Sequence, residues 1–203
     1  AFSLTEEAVE DNLYDKISTR YTKALARSMA NTKQVKGSNV LNNSTTATYT
    51  GGDGALLVAN DHPTLSGNQT NLLTTAADLN ETSLEAALIQ IADMKDERGL
   101  KIALRGMLLN SAGRVGTADN DINAIKSMGM VPQGYVINNF LTDTDAWYIK
   151  TDAPNGLKHF NRAPIRTAME GDFDTGNVRY KARERYSFGW SDWRGIFGTP
   201  GAA

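Results

Sequence analysis

The stretch Asp11–Lys36 constrains this chain more than any other. Its larger or less polar residues fall at Tyr14, Ile17, Tyr21, Ala24, Ser28, Thr32 and Val35, and Leu13, Leu25 and Met29 widen the stripe. Steps of three and four put them on one face of an α-helix and turn Arg20, Lys23 and Arg27 elsewhere. No proline or glycine interrupts the run before Gly37, a residue that closes helices because it takes the left-handed conformation freely. Asp11 and Asp15 suit the positive end of the helix dipole, and Lys33 and Lys36 the negative end. At ~1.5 Å per residue the rod runs close to ~40 Å. Such a rod, apolar on one side only, needs a sheet or another helix along it.

Composition bounds what surrounds that spine. A chain of 203 residues buries a real core as one domain or two close subdomains. With 21 Lys+Arg against 23 Asp+Glu, the formal charge of −2 disfavours free-standing nucleic-acid binding. Cys is 0, which removes disulfides and thiolate metal sites and fits a reducing compartment. No apolar run approaches ~20 residues, so no membrane span is expected. The chain opens on Ala1-Phe2-Ser3 rather than a methionine, so processing or earlier residues are expected. Ser3-Leu4-Thr5-Glu6-Glu7 reads as the start of a short helix.

Beyond the spine, Gly37–Leu73 is rich in Asn, Ser, Thr and Gly, with its tightest turn at Gly51-Gly52-Asp53-Gly54. A short strand is expected at Ala55–Ala59. Asp53, Asp61 and His62 admit a metal reading, but they lack ligand spacing and ordinary Asx-turns account for them. Thr82-Ser83-Leu84-Glu85 fits a capping box, followed by a helical stripe at Leu84, Ala87, Leu88, Ile91 and Met94 that closes at Gly99. Leu100–Arg105 reads as a short strand, and Leu108–Gly113 as the end of a helix with no first turn before it. That abrupt change implies residues missing around Gly106-Met107-Leu108, because a helix needs several residues to nucleate. Asn120–Met128 has the length of a two-turn helix capped by Asp119 or Asn120, and caps explain Asp119 and Asp121 more simply than an acid–base pair does.

The last third is strand-like. Tyr135–Leu141, Ala146–Thr151 and Leu157–Arg162 are short runs separated by turn residues. In Asn177–Trp190, Val178, Tyr180, Ala182, Tyr186, Phe188 and Trp190 face one way, and Arg179, Lys181, Arg183 and Arg185 the other. Glu184 interrupts the apolar face and must be paired or hydrogen-bonded there. The basic face has three readings, in order: a solvated surface, a partner for acids of a neighbouring chain, or a phosphate contact. Two histidines, His62 and His159, without cysteines, supply no nucleophile–base pair or metal cluster, so neither a catalytic residue nor a cofactor is expected.

Several of these segments carry a resemblance. They are Asp143-Thr144-Asp145-Ala146-Trp147-Tyr148, Thr151-Asp152-Ala153-Pro154-Asn155-Gly156-Leu157-Lys158 and, above all, Lys181-Ala182-Arg183-Glu184-Arg185-Tyr186-Ser187-Phe188-Gly189-Trp190-Ser191-Asp192. Gly113–Asp121, Ser127-Met128-Gly129-Met130 and Ala1–Asn42 add to it. Together they resemble the major capsid proteins of tailed bacteriophages with the Hong Kong 97-like fold, in particular Mu-like major head subunits. The resemblance implies an α+β subunit with the spine helix and long strands in a peripheral domain and a mixed α/β axial domain. On that basis residues 1–50 are expected in the peripheral domain, 51–155 mainly in the axial domain, and 156–203 as strands returning to the peripheral domain. The N-terminal arm and extended loop of such subunits lie before the spine and are absent from this sequence. The family also has a longer connection where Gly106-Met107 stand.

The function so implied is structural: many copies assembling as pentamers and hexamers into an icosahedral shell. The shell would enclose DNA without sequence-specific binding, with cement, decoration and portal proteins as further partners and no membrane. It would be a virion component assembled in the bacterial cytoplasm. Glu184, Asn177, Arg179, Arg183, Arg185, Trp190 and Tyr21 are the interface and structural candidates. Some members of the family cross-link subunits through a lysine and an asparagine assisted by a buried glutamate, roles open to Asn177 and Glu184; a structural pair of Glu184 with an arginine is the commoner arrangement. Gly37–Leu73 offers hinge freedom. The alternatives are an encapsulin-like shell protein of the same fold or, further off, a soluble α+β enzyme.

Overall fold

The computed structural model describes residues 1–11, 14–111 and 129–202, with the backbone alone for residues 14–17. The sequence readings at Ala112–Met128, including Asp119 and Asp121, fall outside the described residues, as do the side chains of Tyr14 and Ile17. Helices and two sheets make an α+β chain that divides into two units, Ala1–Lys36 with His159–Ser187, and Gly37–Lys158 with Phe188–Ala203.

The first unit is built on a three-stranded sheet in the order β1-β6-β5. Strand β1 spans Phe2–Leu4, β5 Leu157–Gly171 and β6 Val178–Trp190. Strand β1 runs antiparallel to β6, pairing Phe2 with Tyr180 and Leu4 with Val178. Helix α1, Glu6–Glu10, follows at once, with the Thr5 hydroxyl accepting from the Ala8 N–H as its cap. The alternation read in β6 holds residue by residue: Val178, Tyr180, Ala182, Glu184, Tyr186 and Phe188 are half-buried, and Arg179, Lys181, Arg183 and Arg185 are exposed. Strand β5 runs far past the expected Arg162. Pro164 signals a break, but β5 is an edge strand, the place in a sheet where proline is tolerated.

The spine is helix α2, Tyr14–Asn42, longer than Asp11–Lys36 at its C-terminal end. Gly37 does not close it. The helix continues because Leu41 is buried in a hydrophobic cluster of the second unit, and that burial outweighs the cost of glycine in a helix. No basic residue therefore lies in its last turn. Its inward face is also rotated from the expected one. Thr22, Leu25, Met29 and Lys33 are half-buried, whereas Tyr21, Ala24, Ser28 and Thr32 are exposed. The two large side chains, Leu25 and Met29, set the face, not the small ones beside them.

The second unit has a mixed sheet in the order β3-β2-β4-β7. Here β2 is Gly106–Ser111, β3 Tyr135–Ile137, β4 Trp147–Thr151 and β7 Ile196–Thr199. Strand β2 is parallel to β3 and antiparallel to β4, and β4 is antiparallel to β7. Helix α3, Glu81–Ala92, covers one face. Trp147 and Ile149 of β4 join Leu84, Ala87 and Ile91 in that core, while Ala146 and Tyr148 join Leu41, Leu57 and Val58 in the other. A strand buried on both faces needs apolar residues without alternation, as Ala146-Trp147-Tyr148-Ile149 supply.

Several local expectations are corrected. The cap of α3 is Asn80, not Thr82: its side chain accepts from Ser83 N–H at 2.8 Å, and the Ser83 hydroxyl accepts from Asn80 N–H at 3.0 Å. The helix ends at Asp93, before Gly99. Ala55–Ala59 is not a strand, although Leu57, Val58 and Ala59 are buried. Leu100–Arg105 forms no strand either, because Ala103 takes a left-handed φ of 49° that breaks the extended run. The helix end expected at Leu108 is instead strand β2 from Gly106, so no first turn needs room there and the helix argument for missing residues falls away. Gly106 sits so close to α3 that a Cβ there would meet Leu88 Cδ2 at 2.7 Å. Gly37–Leu73 is no loose hinge: its first part is helix, and His62, Asn71 and Leu73 are buried.

Phe188 and Trp190 are only half-buried. Phe188→Ala or Trp190→Ala should therefore cost about 1.5–3 kcal/mol, below the usual loss for a fully buried aromatic. Urea unfolding of each variant measures it.

Candidate functional site

In the first unit the spine meets β6 through Lys33 and, by way of Phe2 of β1, through Tyr21. The Phe2 ring lies 5.6 Å from Tyr21 and stacks on Tyr180 at 5.1 Å. Lys33 Nζ donates to Glu184 Oε1 at 2.6 Å and sits 5.2 Å from the centre of the Tyr186 ring. The carboxylate on the apolar face is thus paired, as its position required, with a lysine of the spine and not an arginine. Lys33 reads in sequence as a dipole residue, and the pairing with Glu184 across the fold is invisible there. Nothing in the sequence marks Phe2 as the ring that bridges Tyr21 and Tyr180.

The other candidates separate. Arg179 pairs with Asp172 beside the turn that joins β5 to β6. Asn177 closes that turn, its carbonyl accepting from Asp172 N–H at 2.8 Å. Asn177 and Glu184 are seven positions apart, ~23 Å along a strand, so one chain does not bring them together. Lys181, Arg183 and Arg185 line the exposed side of β6 and meet no acid among the described residues. Trp190 packs against the cluster around Leu41 and Tyr148 in the second unit.

The second unit holds a polar cluster that the sequence reading reached only in part. His62 is fully buried, with Nδ1 2.8 Å from Asp53 Oδ2 and Nε2 3.1 Å from Asn71 Oδ1. Its ring stacks on Trp193 at 4.2 Å and 7°. The Arg194 guanidinium covers Trp193 at 4.3 Å and ties to the Lys95 carbonyl at 2.8 Å and to Glu97 at 3.0 Å. Asp61 is exposed and outside the cluster. Asp53 and His62 therefore meet as a pair that fixes a loop. No group of three metal-binding side chains occurs among the described residues. His159, in the first unit, packs its ring 6.0 Å from Tyr186.

Tyr148 adds a pH effect. Burial pushes its phenol above the ordinary 10.0, the Asp143 charge adds to this, and the Ser44 hydroxyl at 3.1 Å opposes it. A proton held more tightly when folded stabilises the fold fully below pH 10.0. That contribution is lost as pH climbs through the raised value. Stability of the second unit should fall above pH 10, and Tyr148→Phe should flatten the decline. Thermal melts from pH 9 to 11 check both.

A family model described as phage capsid protein matches residues 1–198. Among solved structures, a chain from Mycobacterium phage Che8 is 17% identical with a TM-score of 0.47, over 90% of this chain and 63% of that one. The chain thus spans under two thirds of that relative's length. No curated protein matches. Among the described residues, no helix is long and apolar enough to cross a membrane.

Proposed function

The chain belongs to the phage capsid protein family, and on that premise we propose that it acts as a Hong Kong 97-like subunit of an icosahedral head shell. Its role is structural, and the match over residues 1–198 is the observation that carries the reading. Copies associate as pentamers and hexamers around DNA held without sequence-specific contacts, with cement and portal proteins as further partners. Assembly takes place in the bacterial cytoplasm and the product is the virion. This role asks for no catalysis, and the buried His62–Asp53 pair holds a loop. We assign the peripheral domain to the unit of spine helix and long strands, and the axial domain to the unit of the four-stranded sheet, so residues 37–50 and 188–203, expected with the peripheral domain, go with the axial one.

The Lys33–Glu184 pair favours a structural carboxylate over an isopeptide cross-link. Denaturing electrophoresis of assembled shells should then give a single monomer band, and a ladder of multiples would restore the cross-link. The function itself is tested by light scattering on the purified protein. Particles with the mass of closed shells support it, and a monomer at all concentrations contradicts it.

A further inference from the structure

We propose that the exposed basic row of β6 docks the acidic helix α1 of a second copy of this chain, joining shell subunits head to tail. The inference rests on the capsid reading and names one of its interfaces. Lys181, Arg183 and Arg185 stand in a row on the exposed side of the central strand and meet no acid among the described residues. Arg179, next in the row, is already paired with Asp172. The same unit carries the complement. In and just after α1, Glu7, Glu10 and Asp11 are exposed, and their carboxylates meet no cation among the described residues.

The two sets cannot neutralise each other within one chain. Strand β1 pairs Leu4 with Val178, so α1 leaves the sheet at the Val178 end, and Glu6 lies beside Gly176. Arg183 and Arg185 are five and seven positions further along, roughly 17 and 23 Å at ~3.3 Å per residue. That exceeds the screening length of about 8 Å at physiological ionic strength. Each patch is left to find its counter-charge on another molecule. Two different patches that complement each other make a heterologous contact, which closes into rings when the rotation allows.

A polyanion would also meet the arginines, but the neighbouring strand argues for protein. Edge strand β5 exposes Phe160 at 51%, Ile165 at 54% and Met169 at 71%, and the turn beyond it exposes Phe173 completely. A long open edge with apolar side chains invites cover by another chain, which a phosphate backbone does not provide.

The test is charge reversal and its complement in the full protein. Lys181→Glu with Arg183→Glu and Arg185→Glu should cut the assembled fraction by about tenfold or more while the melting profile stays that of the wild type. Adding Glu7→Lys, Glu10→Lys and Asp11→Lys to that variant should restore shells. If the first set unfolds the protein, the glutamine set at the same three positions takes its place, read by loss of assembly alone because neutral side chains leave the α1 lysines nothing to pair with. Shells forming normally from the reversed protein would overturn the proposal. So would a block that the α1 changes fail to relieve, or shells of normal yield that have lost only their DNA, which would assign the row to nucleic acid. A wild-type control that never assembles would instead defeat the capsid reading.

Discussion

Asn71→Ala should lower the stability of the second unit by roughly 3–5 kcal/mol, because several buried backbone groups at ~1–3 kcal/mol each lose their partner at once. The Asn71 side chain is fully buried. Its Nδ2 donates to the carbonyls of Leu57 at 2.7 Å, Ile196 at 2.9 Å and Trp193 at 3.1 Å. Its Oδ1 accepts from Ala59 N–H at 3.0 Å and faces His62 Nε2 at 3.1 Å. One amide therefore fastens the loop around Leu57–Ala59 to the segment that leads into β7. Nothing apolar of similar size replaces those bonds, so the loop and its histidine should loosen together. Urea unfolding and hydrogen exchange at Ala59 measure it. A loss below about 1 kcal/mol would show that the loop is held by packing alone.

Gly195→Ala should be comparably severe, at roughly 3 kcal/mol or more, since overpacking against rigid backbone costs at the upper end of its usual range. The backbones of Gly156 and Gly195 touch, and a Cβ on Gly156 would sit 2.7 Å from Gly195 Cα. A Cβ on Gly195 would press directly on Gly156 Cα, with its amide nitrogen and carbonyl carbon 3.3 Å away. Neither side is a flexible side-chain tip that can swing aside. Relief requires moving Trp193–Gly195, and β7 follows it directly, pairing Ile196 with Lys150 and Thr199 with Trp147. Gly52→Ala is the matched control, because nothing lies within 4 Å of its Cβ position. Equal melting temperatures for the two variants would contradict the close approach.

Periodicity made some of this structure legible in advance and hid the rest. The row from Val178 to Trp190 declared its two faces because a period of two over a long run has no other reading. The spine declared itself for the same reason, but its end did not. Gly37 carries a strong local signal to stop, and the burial of Leu41, which overrides it, depends on residues far away in sequence. Strand β2 is hidden similarly: Leu108-Leu109-Asn110-Ser111 looks helical alone and becomes a strand because β3 and β4 pair with it on either side. Glu184 was flagged by chemistry, since a carboxylate on an apolar face must find a partner. Which partner was a matter of the helix's rotation, set by Leu25 and Met29. Asn71 gave no signal at all, as an asparagine in a polar loop looks like any other until its carbonyls are in place.

Copies of this chain are proposed to build a closed shell. Electron microscopy of the purified full protein tests it most directly. Icosahedral particles are expected, with density for each subunit showing the spine helix beside the β6 strand and the Lys33–Glu184 contact between them. Fields of dispersed monomers, or particles whose subunits lack that helix-on-strand unit, would contradict it.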